Sequence, residues 1–93
     1  MDITNIMDYL VLVFGTKDKE EIANRLVGSP TLSKVSEAYS DYERYCKSRG
    51  IKQVAVNAFK TWICNAYDLV CVMKGTKNDI GEYITYSAFE KVA

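Results

Sequence analysis

The sequence predicts an α+β fold, mostly helical with one small β-hairpin. Three observations carry this. Apolar residues recur at steps of three and four through the first two thirds of the chain. After Asp68 the period shortens, in the runs LVCVMK and EYITYS. Between those runs lies GTKNDIG, dense in turn formers. With 93 residues, the chain has the length of one domain, residues 1–93.

The first helix places Ile3, Ile6, Met7, Leu10, Val13 and Phe14 on one face and stops at Gly15. A second opens at Asp18, an N-cap acid with Glu21 three residues on. Glu20 and Glu21 suit the positive end of the helix dipole. Ile22, Ala23, Leu26 and Val27 form its apolar face, and Gly28 ends it. Residues 1–28 are thus read as an N-terminal helix pair.

Ser29-Pro30 reads as a capping serine with proline at the first helical position. Leu32, Val35, Tyr39, Tyr42 and Cys46 then form the stripe of a third helix that runs to about Ser48 and ends at Gly50. Tyr39, Tyr42 and Tyr45 could stack nucleotides. Their helical spacing favours core packing with hydroxyls at the rim. The fourth helix is VAVNAFKTWICNAY. Phe59, Trp62, Ile63 and Ala66, with Ala55 a turn earlier, make its buried stripe. Its opposite face offers Asn57, Lys60, Thr61 and Cys64. The hairpin strands are expected near residues 69–74 and 82–86, and 87–93 as a short helix or a frayed tail.

Formal net charge is zero, but it is unevenly spread. Residues 41–77 carry seven basic and three acidic side chains, while the segments on either side are each acidic by two. The middle segment is the candidate footprint for a polyanion, though charge of this strength is often just solvated surface. Three cysteines and no histidine supply no complete zinc site, so no metal or cofactor is expected. The odd cysteine count reads as reduced, mostly buried thiols. No acid/base pair or nucleophile–base pair appears, so the expectation is a non-enzyme. The longest apolar run, YLVLVF, is too short for a membrane span and follows no basic stretch. A cytoplasmic protein, in a bacterial or host cell interior, is expected.

Helices followed by a hairpin, with a polar helix face just before it, is the order of a winged helix-turn-helix. Here it carries an extra N-terminal helix pair, with the helix-turn-helix at 29–67 and the wing at 68–86. In that arrangement the last core helix enters the major groove and the hairpin reaches the backbone. Asn, Gln, Thr and Lys suit base edges, and wing lysines suit phosphate. The candidate nucleic-acid-binding residues are Lys52, Gln53, Asn57, Lys60, Thr61, Lys74, Lys77 and Asn78.

The run from Tyr39 through Tyr42, Tyr45 and Cys46 to Gly50, then Phe59 and Ile63, resembles the winged-helix domain at the C-terminal end of primase–helicases. Such proteins occur in phages, plasmids, mobile genetic islands and large DNA viruses. The resemblance covers about residues 32–86. It implies binding to DNA beside a replicative helicase or primase, with the matched aromatics structural; the major-groove reading makes double-stranded DNA the expected partner. The family often has a small hydroxyl residue where this chain has Ala55, and the chain has no GxxxxGK[ST] motif. Two other readings keep the fold. One is a protein–protein or dimerisation module using Ile3, Ile6, Leu10 and Val13 of the first helix. The other is a small transcriptional repressor.

Overall fold

The computed structural model describes residues 4–92. It has four helices and one antiparallel hairpin: α1 Thr4–Phe14, α2 Lys19–Gly28, α3 Val35–Arg49, α4 Val56–Tyr67, β1 Leu69–Lys77 and β2 Tyr83–Lys91. This is the predicted α+β chain, mostly helical with a small hairpin. Ile3 lies outside the described residues.

α1 buries Ile6, Leu10 and Phe14 as expected but is rotated about them. Asn5, Ile6, Tyr9, Leu10 and Phe14 are buried, whereas Met7 and Val13 are exposed. Tyr9 decides the rotation. Its hydroxyl donates to Asp41 on α3 at 2.7 Å, and its ring packs against Tyr42 and Tyr45. Burial and the bond to the Asp41 carboxylate both favour the neutral phenol and raise the Tyr9 pKa. The C-terminal end of α1 is held by α2. Arg25 donates to the Phe14 carbonyl at 2.6 Å and lies over the Phe14 ring. α2 itself begins as the sequence predicts, with the Asp18 carboxylate accepting from the Glu20 and Glu21 amides.

The third helix starts later than Ser29-Pro30 implies. Residues 30–33 form turns, with the Leu32 amide on the Ser29 hydroxyl, and helix begins at Val35. The cause is tertiary. Phe89 of β2 donates to the Ser33 carbonyl at 2.8 Å and Lys34 bridges Ala88, so the backbone is held extended at Lys34 and the helix starts only after it. α3 then ends at Gly50, which takes the left-handed conformation, φ 66°, and sends its amide back to the last turn.

Tyr39, Tyr42 and Tyr45 are structural, as their spacing favours. Tyr42 is fully buried and stacks on Phe59 of α4 with ring centroids 4.9 Å apart. Its hydroxyl donates to Asn5 and accepts from the Val54 amide, so one side chain ties α1, α3 and the α3–α4 turn together. Tyr39 donates to the Val54 carbonyl at 2.6 Å. Phe59, Ile63 and Tyr67 are the buried positions of α4, and Trp62 and Ala66 are only half-buried.

Both strands are longer than expected, and residues 87–91 are strand, not a helix or a tail. β2 continues to Lys91, in register from Leu69 opposite Lys91 to Lys77 opposite Tyr83. Ala88 and Phe89 are core residues, Phe89 at 1% exposure. The alternation of EYITYS fades there because those positions pack on α2 and α3 as well as on β1. In β1, Gly75 lies directly beneath the Tyr83 ring, and a Cβ there would collide with it. A side chain at that position would push the exposed Tyr83 ring aside.

Candidate nucleic-acid interface

The four-residue step from Asn57 to Thr61 puts both on the outer side of α4, where both are exposed and Lys60 is half-exposed. Asn57 and Lys60 open into a groove of about 410 Å³ between the helices and the hairpin. The hairpin side of the groove is Met73, Thr85, Tyr86 and Ser87. The helical side adds Val35 and Ser36 from the start of α3 and Val56 from the start of α4.

Two helix N-termini therefore meet on one groove. Neither is capped by a side chain. The N-cap positions are Lys34 and Ala55, and neither side chain accepts an amide. The first-turn N–H groups of a helix have no intrahelical partner and carry the positive end of its dipole. An uncapped start leaves those donors to water or to an anion. Lys60 adds a full charge on the same wall. Lys34 stands over the Tyr86 ring, 5.0 Å from its centroid, next to the groove.

The other candidates are placed elsewhere. Gln53 is turned inward and donates to Glu43 at 3.0 Å and to the Tyr39 hydroxyl, so it fastens the α3–α4 turn. Asn78 builds the hairpin turn, its side-chain oxygen accepting from the Ile80 and Glu82 amides. Lys74 pairs with Glu90 across the sheet, and that carboxylate raises the lysine's pKa. Lys52 is exposed in the α3–α4 turn, and Lys77 is exposed at the end of β1 beside Asp79 and Glu82. The hairpin tip is thus acidic by one charge.

The groove residues Ser36, Thr85, Tyr86 and Ser87 were not singled out from the sequence. Ser36 lies just after the segment whose helix start was placed too early. Ser87 lies just beyond the expected end of the strand. The thiols also depart from expectation. Cys46 is buried in the core at 1% exposure, but Cys64 and Cys71 are only half-buried and lie side by side. Among the described residues no group of three or more metal-ligating side chains comes together, and no helix is long and apolar enough to cross a membrane. Compared with protein-family models, with curated proteins and with solved structures, the chain has no match.

Proposed function

We propose that this chain is a winged-helix module that binds double-stranded DNA, with α4 as the helix that enters the major groove. The supporting order runs α2, the bridged segment at Lys34, α3, α4 and the hairpin, with α1 appended. The observation that carries the reading is the groove where two uncapped helix starts and Lys60 converge beside the hairpin. Backbone amides and Lys60 suit phosphate; Asn57 and Thr61 suit base edges. Its setting, a primase–helicase or initiator of a phage or mobile element, rests on the resemblance of the Tyr39–Gly50 run. A non-enzymatic role beside a helicase or primase belongs to the same proposal.

Few cations face the groove, so the salt dependence is expected to be shallow. Two or three neutralised phosphates give a slope of log K against log salt of about −2 to −3. Fluorescence anisotropy with labelled duplex at several salt concentrations tests this. Asn57→Ala with Lys60→Ala should weaken binding at least about tenfold, while Lys77→Ala at the acidic hairpin tip should change it little. Absence of binding at low salt, or a double variant that binds like wild type, overturns the proposal.

A second reading is a protein-interaction module. It is favoured by the apolar surface of the hairpin, where Met73, Ile80 and Tyr83 are 70%, 77% and 69% exposed. The first-helix surface expected for a dimer is not available as such, because Ile6 and Leu10 lie in the core. A dimer in light scattering that Ile80→Asp dissolves, without DNA binding, would select this reading.

A further inference from the structure

We propose that Cys64 and Cys71 form a thiol–disulfide exchange site, which a low-molecular-weight disulfide oxidises to a bond fastening α4 to β1. The two sulfurs are 3.3 Å apart, on neighbouring elements that already pack together. Disulfide formation needs only a small approach from that contact, to about 2.05 Å. Both residues are half-buried, so the pair is within reach of solvent, and Cys46 is shut in the core. The turn between them is fixed. Asp68 takes the left-handed conformation, φ 55°, and its amide donates to the Cys64 carbonyl. β1 therefore comes back alongside the last turns of α4 with Cys71 facing Cys64.

The chemistry has a direction. Burial first, then the hydrogen bond to Cys71 and its charge, push the Cys64 thiol up to about 12, against an opposing pull from Lys60. Cys64 therefore keeps its proton through the first step, which begins at Cys71. The Cys71 thiolate attacks one sulfur of glutathione disulfide, and a glutathione thiolate leaves and takes up a proton. Cys64 then gives its proton to solvent and attacks the Cys71 sulfur of the mixed disulfide, releasing the second glutathione. Two protein thiols are oxidised and one glutathione disulfide is reduced to two glutathione thiols. The bond ties together the two elements that flank the groove, whether or not that groove holds DNA.

The test uses the whole chain, incubated with oxidised glutathione at mildly alkaline pH and followed by intact mass and peptide mapping after alkylation. The expected product has lost two hydrogens, links Cys64 to Cys71, and leaves Cys46 to be alkylated only after denaturation. Its Tm should rise by about 5 °C or more, because the link restricts the unfolded chain, and dithiothreitol should reverse the rise. Cys46→Ser should react as wild type does. Cys64→Ser should stop at one glutathione on Cys71. Unchanged thiols after prolonged exposure, stable glutathione adducts on both cysteines, or a link to Cys46 each overturn the proposal.

Discussion

Replacing Tyr42 by phenylalanine removes one oxygen from the middle of the molecule and should cost far more than its size implies. The Tyr42 hydroxyl donates to the Asn5 side-chain oxygen at 2.9 Å and accepts from the Val54 amide at 3.3 Å. Asn5 and Val54 are 6% and 5% exposed, so water cannot readily replace either bond. A buried polar group left without a partner costs about 1–3 kcal/mol. The longer bond to Val54 is the weaker of the two, and phenylalanine no longer buries a hydroxyl. The net expectation is about 2 kcal/mol, or a fall in Tm of about 8–16 °C for a domain of this size. Urea titration followed by circular dichroism should show a lower midpoint with an unchanged slope. In an Asn5→Ala background the same change should cost less by about 0.5 kcal/mol or more, since one of the stranded groups is gone. A cost below about 0.5 kcal/mol in the wild-type background, or strict additivity in the double variant, would refute this account of the core.

Burial pushes the Tyr42 phenol up to about 12 and also raises Tyr67, while burial with Asp41 raises Tyr9. An acid whose folded pKa is raised adds stability below its unfolded value of about 10 and loses it as pH climbs toward the folded value. Stability should therefore fall from about pH 10 upward, and absorbance near 295 nm should show these buried phenols ionising together with unfolding. Independently, Asp68→Gly should raise stability by about 0.5–1 kcal/mol, because Asp68 holds φ 55°, where glycine has no steric penalty. Chemical denaturation checks the sign.

What could be read from the sequence divides along local and long-range causes. The Asp18 cap, the Gly50 stop and the tyrosine stripe of α3 depend on neighbours within a turn, and each stands where the pattern puts it. The α1 face depended on which apolar residue lies at its centre. Spacing alone allowed Met7 and Val13, and the reach of Tyr9 to Asp41 chose otherwise. The late start of α3 and the length of β2 share one cause, the pairing of residues 33–34 with 88–89, which no window of neighbouring residues contains. The candidate site follows the same division. Asn57, Lys60 and Thr61 were legible as the polar face of a helix. The inward turn of Gln53 and the Lys74–Glu90 pair depend on partners on other segments.

That pairing has a consequence for how the molecule is made. Phe89 is a core residue and also the donor that holds Ser33 in place before α3. During synthesis the four helices leave the ribosome before this strand does. Until β2 emerges, the helices lack one wall of their core, and the segment ahead of α3 has nothing to hold it extended. Docking is therefore a late, non-local step, the kind that slows folding and leaves apolar surface open meanwhile. A ribosome paused before codon 88 would present a protease with an unfinished core. One paused on an added C-terminal linker, with β2 clear of the exit tunnel, would present a closed one.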